Sequence, residues 1–369
     1  MSTSGKSIAL RDSNMELLRI ISMFLIVIYH VFAYVLIKYE DQYPLISSFN
    51  TLVHIGVIIF FLLSGYYGIK PSVQGVFKIY TWMVFFNVLL YVCSYSLGYE
   101  SLSKSEIIKL FLPFSHSAPW LWFMKIYILL YLISPLLNMA RAEMQPNILM
   151  GGGKVLIIIG LVSFWFGWIN LNNDFSDGRN IINASFLYLL GARFAKYPPF
   201  KDRENSKQIY LLTYFAICLL VGVVLYFAKG KALYFAKWIC HPYCSPVLIC
   251  MASALFLFFT KVRIKSKVIN WAAASILAVY LVHENKFFMT TWHGFFDWYP
   301  FIEDTFVNSP WWKFVLILIC GVLGIMVAAI LVDKVRIIVL KPIYSLFNKI
   351  YEHTLSFVKR RYGAPWSRN

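Results

Sequence analysis

The stretch FVLILICGVLGIMVAAILV, residues 314–332, contains no charged side chain and is long enough to cross a lipid bilayer as one helix. Uncharged runs of similar length cover residues 79–99 and 208–228. Soluble all-α proteins do not carry several such runs, and the strands of a membrane barrel would alternate polar and apolar residues. The sequence therefore predicts an all-α, polytopic membrane protein.

About ten apolar segments can be counted along the chain as candidate membrane spans. The sixth is the weakest, because it is short and carries Arg193 near its end. We predict a single membrane domain over residues 1–369, with its spans between residues 14 and 333 and a basic tail over residues 334–369. The segments cover residues 17–37, 51–69, 77–98, 120–139, 155–172, 181–196, 209–228, 242–260, 268–287 and 312–332.

The composition indicates the same class of protein. Hydrophobic residues make up 60% of the 369 residues and charged residues only 14%, against about 25% charged residues in soluble domains. These values exclude a disordered chain, a coiled coil and a nucleic-acid-binding domain of ordinary composition. The net charge is nevertheless +17, from 34 Lys and Arg against 17 Asp and Glu.

The excess positive charge follows the topology of the predicted spans. With the N-terminus in the cytosol, the cytosolic segments hold 24 of the 34 Lys and Arg residues. Because basic residues concentrate on the cytosolic side of membrane proteins, this asymmetry predicts that both termini are cytosolic. The basic tail is expected to lie on anionic lipid. The lipid bilayer therefore explains the charge, and no nucleic-acid partner is expected.

The first predicted span contains an arginine and a histidine, which are costly in a membrane and are therefore functional candidates. Arg19 and His30 are eleven residues apart, about 1100° around a helix, so they share one face and lie about 16 Å apart along the axis. Arg19 lies near the cytosolic mouth, where a guanidinium can grip a phosphate. His30 lies deeper, where an imidazole can transfer a proton. The alternative is a snorkelling arginine and a hydrogen-bonded packing histidine.

Five motifs, in order along the chain, resemble those of the acyltransferase-3 family of integral membrane enzymes, which includes sugar and polysaccharide O-acetyltransferases. Each motif alone is weak, but five in the family's order are specific. They are NMELLR at 14–19 with His30, FFLLSGYY at 60–67, WLWF at 120–123 with SPLLN at 134–138, FLYLLG at 186–191, and VYLVHEN at 279–285.

This resemblance implies acyl transfer across a bacterial plasma (inner) membrane. Acetyl-CoA is the implied acyl donor, bound from the cytosol, and the acceptor is a hydroxyl of an extracytoplasmic or lipid-linked sugar or polysaccharide. His30 matches the catalytic histidine of the family, which acts as a general base or as a transient acyl carrier. Arg19 matches an arginine that helps to bind the donor.

The sequence departs from the family pattern at the cytosolic start of the third span. Many members carry Arg-x-x-Arg there, whereas residues 77–82 read FKIYTW. Lys78 can replace one arginine only as a point charge, and Thr81 cannot replace the other. The donor site is therefore expected to use Lys70 and Lys78, with Lys154 and the basic loop over 193–207 as alternatives.

Most candidates for the acceptor site lie toward the outer ends of the predicted spans. His283, Glu284 and Asn285 are hydrogen-bonding groups suited to sugar hydroxyls, with a polar helix end as the alternative. Ser64 and Trp122 are assigned to the same site. A packing role is the alternative for Ser64, because Ser64-Gly65 could bring the second span close to the first. His54 and His116 are further candidates for the acceptor entrance.

Several questions stay open from the sequence. Cys240 and Cys244 flank His241 at a spacing that is only a weak metal signal, so no metal is predicted. The motifs do not distinguish acetyl from succinyl or another acyl group, and they do not distinguish direct transfer from an acyl-enzyme. A glycan or lipid transporter is the rival from another class, because ten spans with buried polar groups suit it equally well. The oligomeric state is open.

Overall fold

The structure is a computed structural model that describes residues 13–112, 121–169, 176–289, 294–296 and 298–362. Within these ranges the chain is helical, and its only extended pairings are two isolated bridges. The helices are α1 (Asn14–Val31), α2 (Leu45–Val53), α3 (Gly56–Tyr67), α4 (Val73–Ser96), α5 (Lys104–Leu110), α6 (Trp122–Ala142), α7 (Gly152–Phe164), α8 (Ile181–Lys196), α9 (Ser206–Phe227), α10 (Lys231–Cys240), α11 (Pro246–Lys261), α12 (Lys267–Ala273), α13 (Ile276–His283), α14 (Tyr299–Asn308) and α15 (Trp311–Tyr362).

Helices cover most of each predicted span, and among the described residues six helical segments are long and apolar enough to cross a membrane. Three more are apolar but shorter, and α8 has only 16 residues. The chain is thus an all-helical, multi-pass membrane protein, while the count of ten spans and the cytosolic termini stay predictions. The six long segments are Asn14–Tyr39, Leu45–Tyr67, Val73–Ser96, Trp122–Ala142, Ser206–Phe227 and Trp311–Val358.

The basic tail is not a separate helix. The last span continues into it as one helix of 52 residues, about 78 Å long. The extension packs on the start of α4, where the Phe347 and Phe77 rings stack 3.8 Å apart and the Tyr344 and Thr81 hydroxyls lie 3.0 Å apart. The position that lacks the family's second arginine is therefore covered by α15.

Helix α3 lies at the centre of the bundle and packs against α8, α1 and α11. Its contact with α8 is close because a glycine faces the backbone on each side. A Cβ atom on Gly65 would lie 1.7 Å from the Tyr188 carbonyl oxygen, and one on Gly191 would lie 2.1 Å from the Leu62 carbonyl oxygen. Small residues allow such backbone approach in membrane proteins.

The prediction that Gly65 brings the second span close to the first was wrong. Gly65 packs the second span against α8, and the close approach to α1 is made instead by Gly56, whose Cβ would lie 2.5 Å from the Ser22 carbonyl oxygen. Ser64 and Gly65 are adjacent on a helix, about 100° apart, so the two side chains face different neighbours.

Hydrogen bonds fix α1 relative to the start of α12. The Ser13 amide donates to the Ile264 carbonyl (2.8 Å), and the Ser266 amide donates to the Ser13 hydroxyl (2.9 Å). The Asn14 side chain donates to the Phe259 carbonyl at the end of α11 (2.8 Å). These bonds fix the position of α1 along its axis relative to α12 and α13.

At the other end of the first span, α14 is attached through Glu303. Its carboxylate accepts a hydrogen bond from Lys38 (2.6 Å) and one from the Tyr39 hydroxyl (2.5 Å). These two bonds hold the pKa of Glu303 below its ordinary value. The contacts therefore join α14 to the end of the first helical segment.

We expect Gly65→Ala to destabilise the bundle by about 1–3 kcal/mol, because the added methyl group must push α3 and α8 apart. The matched control is Gly222→Ala in α9, where nothing lies within 4 Å of the new Cβ. Thermal denaturation of both variants in detergent measures the difference. Equal stability of the two variants would contradict close α3–α8 packing.

Candidate functional site

The centre of the candidate site is His30, in the last turn of α1. Its Nδ1 atom lies 3.2 Å from Nε2 of His283 and 3.5 Å from Oε1 of Glu284. The two partners end α13 and are more than 250 residues away in sequence. The structure therefore brings the deep histidine of the first span together with two of the predicted acceptor-site residues.

The hydrogen-bond pattern assigns the ring hydrogens of the two histidines. His283 Nδ1 lies 2.7 Å from the Val279 carbonyl, which can only accept, so this nitrogen carries the hydrogen. In a neutral ring Nε2 of His283 is then an acceptor, and the hydrogen between the rings belongs to Nδ1 of His30. Nε2 of neutral His30 consequently holds a lone pair and can take a proton.

The site is deep but reachable. The side chains of His30 and Glu284 keep 11% and 9% of their surface exposed, whereas His283 is completely buried. The ring of Tyr34 lies 5.4 Å from that of His30 and is 50% exposed. We infer that accessible space extends past Tyr34 to His30.

Asn285 extends the buried polar network to α4. Its amide nitrogen donates to the Asn87 side chain (2.8 Å), and its carbonyl oxygen accepts from the Phe287 amide (3.1 Å). Asn285 is 1% exposed, so both ends of its side chain are used within the protein. Its predicted contact with the acceptor stays untested. Asn87 was missed, because it is an isolated polar residue in an apolar run.

A cluster of aromatic rings and imidazoles lies next to His30. Tyr29 stacks on His54 with ring centroids 4.1 Å apart, and His54 stacks on His241 at 4.4 Å. His54 is buried here, while His116 lies outside the described residues. The contact partner His241 could not be assigned from spacing, because 187 residues separate it from His54.

The guanidinium of Arg179 lies in the same cluster. It sits 5.5 Å from the ring centroid of Trp122 and 5.8 Å from that of Tyr243. Trp122 is thus close to the site, as predicted for an acceptor-site residue, although its role is untested. Arg179 and Tyr243 were missed, because nothing in the polar turn before α8 distinguishes this arginine from a solvated one.

Arg19 lies at the opposite end of α1 from His30. It forms an ion pair with Glu16 (2.9 Å), lies 5.8 Å from the ring centroid of Tyr67, and keeps 29% of its side chain exposed. Arg141, which was not singled out from the sequence, donates to the Tyr66 carbonyl (3.1 Å) in the same region. Two guanidinium groups therefore flank the end of α3.

The two predicted donor lysines lie in different places. Lys70 is exposed in the segment after α3, close in sequence to Tyr66 and Tyr67. Lys78 is exposed on α4, one residue after the Phe77 ring that packs on α15. The predicted role of both lysines in donor binding stays a prediction.

A partly exposed stripe runs along α3. Phe60, Ser64 and Tyr67 follow helical i, i+4 and i+7 spacing and keep some exposure in a helix that is otherwise largely buried. The Ser64 hydroxyl donates to the Phe60 carbonyl (2.9 Å) and lies within hydrogen-bonding range of Tyr127 on α6. Within the described ranges α6 packs mainly on α7 and α8, so side chains bridge it to α3.

His30, His283 and Glu284 form the one group of described residues whose ligand atoms lie close enough together to hold a metal ion. Two imidazoles and a carboxylate suit Zn²⁺, and backbone bonding of the second His283 nitrogen is typical of metal-bound histidine. The 3.2 Å contact between the rings is equally explained by a hydrogen bond. The Cys240, His241 and Cys244 motif forms no such group in the described part of the chain.

Comparison with known proteins identifies the family. Residues 12–330 match the family model described as an acyltransferase domain, which covers α1 and most of the helical bundle. No curated protein and no solved structure shows significant similarity to the chain. The match spans well over half of the chain and includes all five motifs quoted above, so the chain belongs to the acyltransferase-3 family and is a multi-pass membrane acyltransferase.

Proposed function

We propose that this protein transfers an acetyl group from cytosolic acetyl-CoA to a hydroxyl of an extracytoplasmic or lipid-linked sugar or polysaccharide. The observation that carries the proposal is the contact of His30 with His283 and Glu284 in the last turn of α1, the helix that carries Arg19 near its other end. The family membership supports acyl transfer, and the apolar helices support a membrane location, which we take to be a bacterial inner membrane.

His30 acts as the general base in this proposal. Nε2 of His30 removes the proton of the acceptor hydroxyl, whose oxygen attacks the thioester carbonyl carbon. A carbon–oxygen bond forms and the carbon–sulfur bond breaks. The protonated imidazole then returns its proton to the departing thiolate of CoA.

Glu284 and His283 support this base. Nδ1 of His30 donates its hydrogen to Nε2 of His283, which holds the His30 ring in the tautomer that leaves Nε2 free to accept a proton, and the Glu284 carboxylate lies 3.5 Å from the same Nδ1. The Glu284 carboxylate also stabilises the imidazolium that forms during the transfer, because opposite charges attract strongly in a site with little water. Positioning and proton transfer are the main tasks, since a thioester is already an activated donor.

The donor is proposed to enter from the side of Arg19. Arg19 and Arg141 flank the end of α3 and are suited to the phosphates of CoA, with the exposed Lys70 nearby and Lys78 as a more distant contributor. About 16 Å separates Arg19 from His30 along α1. The partly exposed stripe of Phe60, Ser64 and Tyr67 on α3 offers a wall along which the pantetheine arm reaches His30.

We expect His30→Ala to abolish transfer of radiolabel from acetyl-CoA to glycan in isolated membranes, because the base is removed. The matched control is His353→Ala, since His353 is exposed on the tail helix and should leave transfer unchanged. Both variants are checked for folding by thermal denaturation in detergent. A folded His30→Ala protein that still transfers acetyl would overturn the mechanism, and a folded wild type without CoA-dependent chemistry would favour a transporter.

We expect Glu284→Gln to lower kcat for transfer by about 100-fold, because an amide cannot stabilise the imidazolium of His30. Glu352→Gln is the control, as Glu352 is exposed on the tail helix. Initial rates at saturating acetyl-CoA measure the effect. A kcat equal to that of the control would remove Glu284 from the proposed chemistry.

We also expect the purified protein to contain no stoichiometric zinc and to keep its transfer rate in EDTA, because hydrogen bonds already account for the contacts of His30, His283 and Glu284. Elemental analysis and the radiolabel assay test this directly. One zinc per chain, together with loss of activity on chelation, would replace the general-base role of His30 by a metal-ligand role.

A further inference from the structure

We propose that the cleft beside His30 selects acceptors that carry a negative charge, with Arg179 as the residue that binds the charged group. The inference rests on the proposed function, because it names the acceptor class of that same site. The charged group is a carboxylate or a phosphate on the glycan, near the hydroxyl that receives the acyl group.

The backbone around Arg179 is held by the fold. Asn180 caps α8 by accepting a hydrogen bond from the Asn183 amide (2.9 Å). On the other side of Arg179, the Asp177 carbonyl accepts from the Tyr243 amide (2.8 Å). Arg179 therefore lies in the turn just before α8, and hydrogen bonds on both sides hold the backbone of this turn in place.

Two aromatic rings frame the Arg179 guanidinium. The ring centroids of Trp122 and Tyr243 lie 5.5 and 5.8 Å from it, so it contacts both ring faces. A guanidinium has five N–H donors, so this arrangement orients Arg179 without using all of them.

No ion pair among the described residues involves Arg179. Asp177 and Glu284 act on it only through longer-range electrostatics. The Glu284 carboxylate lies instead 3.5 Å from His30. An anionic ligand can therefore bind the Arg179 guanidinium through charge-assisted hydrogen bonds without displacing an ion-pair partner among the described residues.

Arg179 and Tyr34 are exposed although Tyr29 and His54 beside them are buried, so the two exposed side chains border the accessible space that we infer beside His30. A glycan with a carboxylate or a phosphate beside the acceptor hydroxyl supplies the anion for Arg179.

The test measures where the acetyl label goes and what charge the labelled glycan carries. Native membranes that contain the full chain receive radiolabelled acetyl-CoA, and label is followed into glycan and into free acetate. The labelled glycan is then separated by anion exchange. Carboxyl reduction in one portion and phosphodiester cleavage by hydrogen fluoride in another distinguish the two sources of negative charge.

We expect the labelled glycan to be anionic and to become neutral after one of these two treatments. In Arg179→Gln the ratio of glycan label to free acetate should fall about 10- to 100-fold, because a charge-assisted contact to the acceptor is lost while the donor side is less affected. Arg179→Lys should restore part of this ratio, since it keeps the charge but loses the planar fork. Arg263→Gln, at an exposed arginine in the α11–α12 loop, is the control.

The outcomes separate this inference from the proposed function. A wild type that labels neutral glycan overturns the inference and leaves the acyltransferase intact. An Arg179→Gln variant with the wild-type ratio does the same, as does a folded variant that loses transfer and hydrolysis equally, because Arg179 then does not act on the acceptor. A folded wild type that neither labels glycan nor hydrolyses acetyl-CoA contradicts the proposed function itself.

Discussion

The contact between Glu284 and His30 is the interaction on which the rest of the site depends. A carboxylate inside an apolar bundle is costly unless it is paired or hydrogen-bonded, so the helices around it must supply partners. His30 comes from α1, His283 is tied back to α13 through the Val279 carbonyl, and Asn285 joins the α13 end to Asn87 on α4. The polar network therefore holds α1, α4 and α13 in one arrangement, and the same bonds set the tautomer of the proposed base.

The helices of the bundle are not packed equally closely: α3 lies in backbone contact with α8, whereas α6 lies farther from α3. Glycines let α3 and α8 come into backbone contact, which makes a close-packed centre. Helix α6 instead packs on α7 and α8 and reaches α3 through side chains such as Phe123 and Tyr127. Partly exposed side chains occur on both sides of His30, toward Arg19 on one side and toward Tyr34 and Arg179 on the other. An enzyme whose donor and acceptor arrive from opposite membrane faces needs two such approaches to one base.

The separation of charges along α1 agrees with this arrangement. Arg19 and Arg141 lie at one end, where CoA phosphates are proposed to bind, and Arg179 lies near His30 at the other. The side chains on the partly exposed stripe between these ends, Phe60, Ser64 and Tyr67, are aromatic or weakly polar, as the proposed passage of a pantetheine arm requires. The continuous α15 helix covers Phe77 and Thr81 at the start of α4. Thr81, which stands where many family members have an arginine, therefore contacts α15.

Hydropathy and helical periodicity are local properties, so they were enough to predict the fold class and the shared face of Arg19 and His30, and five short motifs in order were enough to indicate the family. The sequence also singled out His283, Glu284 and Asn285, because polar residues at the end of an apolar run are conspicuous. Only the tertiary structure showed that His283 and Glu284 face His30 and that Gly65 packs on α8. Tertiary structure alone also revealed Asn87, Arg179, His241 and Tyr243 as neighbours of the site. These contacts join residues that are far apart in the chain, and no local pattern specifies which distant helix a side chain will meet.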